Sequence, residues 1–180
     1  MRQVVRPARA DDANGILAVV GDAFSYGATR DPREELTIVR DTWKARQGRS
    51  LIELVAIDKD ADPNANAGEL IGHLLAAPGR LDGRATEVAG VAPVCVAAAH
   101  QGHGIGRALM GALIEAAEGR RWPLLVLLGD PGYYSRFGFE PAGPLGLIYP
   151  PVGADNPNFQ ARRLPGYSSR LRGEFSYCWE

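Results

Sequence analysis

Cysteine is scarce in this chain: only Cys95 and Cys178 occur among 180 residues. Two thiols that far apart build no disulfide framework, and Cys95 with His100 and His103 has none of the paired spacing of a metal centre, so no metal is expected. Cys95 lies in an apolar stretch, where a buried thiol is the ordinary outcome. Lysine is nearly missing as well, with Lys44 and Lys59 alone, and arginine carries the positive charge. The formal net charge is -1, which gives nucleic acid or an anionic membrane no electrostatic reason to bind. No apolar run approaches the roughly 20 residues that span a bilayer. Met1–Pro7 lacks the apolar core of a signal peptide. A cytoplasmic protein with one domain over residues 1–180 is expected, large enough to bury a core, as a monomer or homodimer.

Apolar periodicity then sets out the elements. Gln3–Arg6 reads as a strand. Asp11 or Asp12 caps a helix whose apolar face is Ala13, Ile16, Leu17, Val20 and Phe24. Asp31-Pro32-Arg33-Glu34 starts a second helix, with Leu36, Val39 and Trp43 facing inward and Gly48 ending it. Leu51–Ile57 is a continuous apolar run and reads as a buried strand. The polar turn Asp58–Gly68 leads to a strand over Glu69–Ala76, and a longer strand follows over Glu87–Val96. Pro93 cannot donate to a sheet ladder and predicts a bulge or local edge. A helix with Ile105, Leu109, Ala112, Leu113 and Ala116 on one face ends near Gly119. Leu124–Leu128 is a short apolar strand. Ala142–Asn158, with four prolines and three glycines, reads as an irregular loop. Phe159–Leu164 and Glu174–Trp179 close the chain as strands, with Phe175, Tyr177 and Trp179 on one face. This order is an α/β (α+β) domain with a mixed, mostly antiparallel sheet flanked by helices.

Chemistry concentrates between Val94 and Phe139. The strand Val94-Cys95-Val96 runs into Gln101-Gly102-His103-Gly104-Ile105-Gly106, which opens directly into a helix. A dinucleotide fingerprint needs G-x-G-x-x-G, and a P-loop needs G-x-x-x-x-G-K-[S/T]. Arg107 and Ala108 after Gly106 break both patterns. What remains is a bare main chain at a helix N-terminus, whose amides converge on phosphate, or a tight turn that simply needs positive φ.

Gln101-x-x-Gly104-x-Gly106 resembles the acyl-CoA motif of the GNAT superfamily of N-acetyltransferases. Tyr134-Ser135-Arg136-Phe137-Gly138-Phe139 is similar to that superfamily's late Tyr-x-x-x-Gly-Phe element, and Leu128-Gly129-Asp130-Pro131 resembles its YhbS-like branch. The resemblance implies a GNAT fold with a bulged, splayed central strand, acetyl-CoA as cosubstrate and direct attack by an amine in a ternary complex. It implies that Val94, Cys95 and Val96 contact the pantetheine arm. Gln101, Gly102, His103, Gly104, Ile105 and Gly106 then border the diphosphate, with Arg107 at the rim and Asp130 and Tyr133 as outer contacts.

Acetyl transfer to a primary amine poses two proton problems. The leaving thiolate benefits from a proton, and a phenol with pKa of about 10 against a thiol near 8.5 stays protonated to supply it. Tyr134 is the expected general acid, aimed by a short helix that Asp130 and Pro131 cap. The ammonium must also lose a proton. Between Val88 and Ala99 there is no acidic residue, which leaves Glu87 or His73 as the base, or Glu53 through water. The acceptor, a small molecule or a protein amine, is not written in the residues. A non-catalytic acyl-CoA-binding module is the main rival, and a nucleotide-binding protein using the same turn is a further one.

Overall fold

The computed structural model describes residues 2–25, 31–45, 50–60 and 68–180. The chain divides into two compact units. The first comprises Met1–Lys44, Ile52–Leu75 and Ala92–Ile114, and the second Ala45–Leu51, Ala76–Val91 and Glu115–Glu180.

In the first unit β1 (Gln3–Pro7) pairs antiparallel with β2 (Ile52–Asp58), Gln3 opposite Asp58 and Pro7 opposite Leu54. Every residue of β2 is buried, as its continuous apolar run predicts. β3 (Glu69–Leu81) and β4 (Arg84–Val96) follow, in the order β1-β2-β3-β4. A 3-10 turn at Ala10–Asp12 feeds α1 (Ala13–Ser25). There the Asp12 carboxylate accepts the Arg9 N–H at 2.7 Å and grips the Arg6 guanidinium with both oxygens, at 2.6 and 2.8 Å. The Arg6 hydrogen bond is the main reason the Asp12 carboxyl is held below the usual range. α2 (Pro32–Ala45) begins as expected, Asp31 accepting the Arg33 N–H at 2.9 Å. Gly48, expected to end it, and residues 61–67 of the expected polar turn lie outside the described residues.

The core of this unit joins Ile16, Val19 and Val20 of α1 with Val39 of α2, Val55 and Ile57 of β2 and Cys95 of β4. The face of α2 departs from its apolar periodicity. Glu35 and Thr42 are buried, whereas Leu36 and Trp43 are half-buried. The face is turned because Trp43 spends its indole N–H on a carboxylate of β2, described below.

α3 runs over Ile105–Gly119. Its fully buried residues are Ile105, Leu109, Met110, Leu113 and Ala117, while Ala112 and Ala116, expected inside, are half-buried. Gly106 and Gly111 each cost about 1 kcal/mol of helix propensity relative to alanine. Each buried Ile or Leu returns about 1.5–3 kcal/mol, so packing holds this helix. The closest approach is to Gly72 of β3, where a Cβ would stand 3.1 Å from both Ile105 and Leu109 and 3.2 Å from the Cys95 carbonyl.

In the second unit β3 and β4 are longer than the expected Glu69–Ala76 and Glu87–Val96. They meet in a two-residue hairpin, Asp82-Gly83, with φ of 48° and 72°. An Asp-Gly pair is a strong hairpin signal, masked here by Pro78 and Gly79 just before it. A side chain at Gly79 would run into the Ser176 carbonyl and the Phe175 ring. β5 (Leu124–Leu128) lies parallel to β4 over Val88–Gly90 only. β6 (Glu140–Pro141) and β5 both pair antiparallel with β8 (Phe159–Arg163). β9 (Gly173–Ser176) pairs antiparallel with β3 and parallel with β7 (Leu147–Ile148). The stretch expected to be irregular therefore holds a 3-10 turn at Gly143–Leu145 and a strand; both are too short to show in periodicity. β8 and β9 end earlier than expected, yet Phe175, Tyr177 and Trp179 do share a face, with ring centroids 5.1 and 4.3 Å apart. Gly90 makes room for the Tyr177 ring on β4. The fold class is the expected one, mixed and mostly antiparallel pairing with flanking helices.

Candidate functional site

In the first unit β4 ends at Val96 and the chain enters the glycine turn. Gly102 and Gly104 have φ of 80° and 81°, and a Cβ on either would meet nothing within 4 Å. These glycines are thus needed for their backbone conformation and leave the space above them open. The Ala108 N–H bonds to the Gly104 carbonyl at 3.0 Å. That closes the first turn of α3 and leaves the N–H groups of Ile105, Gly106 and Arg107 without intrahelical partners. A helix start of this kind attracts anions through its dipole and its amides together.

The side chains around the turn do not all match expectation. Gln101 folds back, its amide donating to the Val96 carbonyl at 3.2 Å, so it clamps the end of β4. His103 Nδ1 lies 3.3 Å from the His100 carbonyl. Arg107 is exposed at the rim. Asp22 of α1 accepts the Ala98 N–H at 2.7 Å, a brace across 76 residues that no local pattern announces. Val94 and Val96 are half-buried, and Cys95 between them is buried. The Ala92–Pro93 bond is cis, and Pro93 is a buried member of β4 just past Gly90, the last residue paired with β5, so it lies at the local edge that its missing N–H predicts. Burial pushes the Cys95 thiol up to about 12, so it is no nucleophile at neutral pH.

The same unit contains a polar cluster inside its core. Glu53 of β2, half-way along an apolar run, accepts the Trp43 indole N–H at 2.8 Å on Oε1. His73 of β3 places Nε2 3.0 Å from that same oxygen and is wholly buried. His73 is thus only half the satisfied core histidine that an apolar strand suggests, since its Nδ1 has no partner among the described residues. Glu53 was the visible signal, a lone carboxylate in Leu51–Ile57.

In the second unit α4 (Pro131–Tyr134) is capped by Asp130, whose Oδ1 accepts the Gly132 N–H at 2.8 Å. The Asp130 carboxylate is spent on this cap. Tyr134 is half-buried, its ring 6.0 Å from that of Phe139 and edge-on to Tyr133. Gly129 packs directly beneath the Tyr134 ring, and a Cβ there would collide with it. Tyr133 instead carries the Arg136 guanidinium over its face, at 5.1 Å. β8 braces the element: Arg162 donates to the Phe137 carbonyl, and Gln160 donates to the Gly129 carbonyl at 2.9 Å. Gly138, with φ of 77°, leaves room for the Arg162 guanidinium. Glu87 is exposed on β4 and makes no described bond.

Residues 4–142 match the family model described as an acetyltransferase (GNAT) domain. The chain is 31% identical over 129 residues to an uncharacterized N-acetyltransferase, YhbS, of Escherichia coli (strain K12), covering 72% of this chain and 68% of that protein. Its fold is similar to the crystal structure of Escherichia coli YhbS in complex with CoA, with TM-score 0.81 and 27% identity over 98% of this chain and 90% of the other. It is also similar to a GNAT family acetyltransferase from Brucella melitensis in complex with acetyl-CoA, with TM-score 0.76 and 28% identity over 99% of both chains. With a family model spanning most of its length, both comparisons pointing to the YhbS-like branch, this chain belongs to the GNAT acetyltransferase family.

Proposed function

We propose that the chain transfers an acetyl group from acetyl-CoA to the primary amine of a small molecule or a protein, and that residues 1–180 act as one catalytic domain. The observation that carries this reading is the start of α3: two glycines in the left-handed region, open space where their side chains would stand, and amides with no intrahelical partner behind them. Such a cradle suits a diphosphate approaching the main chain. The complexes of the two similar proteins with CoA and acetyl-CoA support the same ligand.

In this reading the main chain of Val94–Val96 holds the pantetheine arm, and amides near Val96 polarise the thioester carbonyl. The β4–β5 ladder stops at Gly90, which supports a strand free to serve that arm. The amine attacks the carbonyl carbon directly, the C–S bond breaks, and Tyr134 gives its proton to the departing sulfur. The brace of Gly129, Gln160 and Arg162 around its element fits a side chain whose position matters. A cavity of about 570 Å³ in the first unit, with Asp22 and Glu69 beside apolar Val19, Leu70 and Ala97, suits a cationic acceptor with a short apolar stem.

The test pairs calorimetry with CoA and release of free thiol from acetyl-CoA in the presence of an amine panel. Micromolar CoA binding with amine-dependent thiol release is expected. Binding without turnover on any amine would favour the non-catalytic module, a reading supported by the absence of an acid between Val88 and Ala99. No binding at millimolar CoA would remove the reading altogether.

A further inference from the structure

The Trp43–Glu53–His73 cluster has a chemical asymmetry that packing does not require. The Trp43 indole can only donate, so Glu53 Oε1 is an acceptor, and it accepts His73 Nε2–H in the same way. The ring proton is thereby assigned to Nε2. Nδ1 keeps a bare lone pair, buried and unmatched by any donor among the described residues. A buried acceptor left unmade bears its full desolvation penalty, a cost that function can explain and stability cannot. His73 also borders the strand read as holding the pantetheine arm, since the Cys95 thiol is hydrogen-bonded to the His73 main chain. Glu53 on β2 is the ionisable side chain bonded to its ring, and the neighbouring Cys95 thiol of β4 feels the charges of Glu35 on α2 and Asp22 on α1.

We infer that His73 is the proton acceptor for the amine and that Glu53, held by Trp43, is the residue that positions it. The inference rests on the acetyltransferase reading. The ammonium gives one proton to His73 Nδ1 over a water that enters with the amine, and the nitrogen lone pair then forms the C–N bond. Glu53 stabilises the imidazolium, as a carboxylate does for a catalytic histidine. The electron pair of the breaking C–S bond leaves with sulfur, which takes the Tyr134 proton. The second proton lost by nitrogen restores the phenol, and the proton on His73 passes to solvent.

The experiment compares wild type, His73→Gln and Glu53→Gln over pH 6 to 9.5, with acetyl-CoA and two kinds of acceptor probe. One is an alkylamine, protonated at neutral pH, and the other an aromatic amine, neutral there. CoA affinity of each variant is measured by calorimetry alongside. The expected result for His73→Gln is unchanged CoA affinity and a fall of about 100-fold or more in kcat/KM for alkylamines at pH 7. That loss recovers as the pH rises toward the amine's own range, and aromatic amines lose less than about 10-fold. Glu53→Gln gives a smaller loss, about 10-fold, with the same shift of profile. An unchanged rate and profile in a His73→Gln protein that binds CoA would overturn the inference and leave the family reading standing. Wild type that binds CoA but acetylates no amine would overturn it too. If His73→Gln fails to fold, nitrogen-15 spectra of the three histidines in wild type decide. A neutral ring bearing hydrogen on Nε2 is expected for His73, and one bearing it on Nδ1 overturns the assignment.

Discussion

Tyr134 is held by its neighbours more closely than a surface tyrosine needs. Gly129 lies flat beneath the ring, Phe139 and Tyr133 meet its edges, and Arg162 ties down the turn that follows. Tyr134→Phe keeps all of these contacts and removes one oxygen. It is expected to lower kcat for acetyl transfer about 100-fold or more while CoA affinity, read by calorimetry, changes less than about twofold. Equal turnover in the two proteins would remove the acid role. Cys95 gives a second prediction at this scale. Its thiol, pushed up to about 12 by burial, carries almost no thiolate at neutral pH. Iodoacetamide should therefore leave Cys95 unmodified in the native protein and label it after denaturation, as peptide mass mapping would report. Native labelling of Cys95 would contradict its burial. At the residue scale much was visible in advance, including the Asp130 cap and the buried Cys95. The Asp22, Gln160 and Arg162 braces were not. Each joins residues far apart in the chain, and a single sequence carries no sign of such pairs.

At the scale of elements, the α3 start and the α1 start give opposite kinds of prediction. Gly104 sits at φ of 81° with open space around it, so Gly104→Val strains the backbone and also fills the cradle. A stability loss of about 1–2 kcal/mol is expected in urea unfolding, with CoA affinity falling about 10-fold or more. Intact affinity would make the turn a purely structural one. Asp12 acts on stability alone. Its carboxyl is held low chiefly by the Arg6 hydrogen bond. Its contribution is thus fully present above an unfolded value of about 4 and is lost as pH falls through the lower folded one. Asp12→Asn should flatten the acid limb of the stability curve below about pH 4, and Arg6→Ala should cost about 1–2 kcal/mol at neutral pH after allowance for solvent screening. An acid limb unchanged in Asp12→Asn would contradict the linkage. Element types were readable because apolar period decides them, and β1, β2, α1, α3 and β5 fall within a residue or two of expectation. The misses share one cause. β3 beyond Ala76, β7 and the turned face of α2 are set by partners elsewhere, namely β9 and Glu53, and not by local pattern.

For the whole molecule, ligand linkage offers the broadest check. A ligand that binds only folded chain at 100 times its Kd adds about 2.7 kcal/mol. For a protein of this size that is about 5–10 °C in Tm. CoA is expected to produce such a rise, and ATP or NAD at equal concentration none. A melt unmoved by CoA would count against the acetyl-donor site as a whole. Family membership was readable at this scale because the glycine turn and the Tyr134 element are short, contiguous motifs with fixed spacing. The choice among Glu87, His73 and Glu53 was not, because His73, Glu53 and Trp43 come from three separate elements and only the folded chain joins them.

Gly72 gives the start of α3 a property that the ligand itself never touches. The helix rests against bare main chain there, close enough that one added methyl group would have to push Ile105 and Leu109 aside by a few tenths of an ångström. Because Ile105 is the first residue of α3, that push tilts the rim of the proposed diphosphate cradle like a barrel lifted off its mount. Gly72→Ala should thus blunt the enthalpy of CoA association while every atom lining the cradle stays chemically the same.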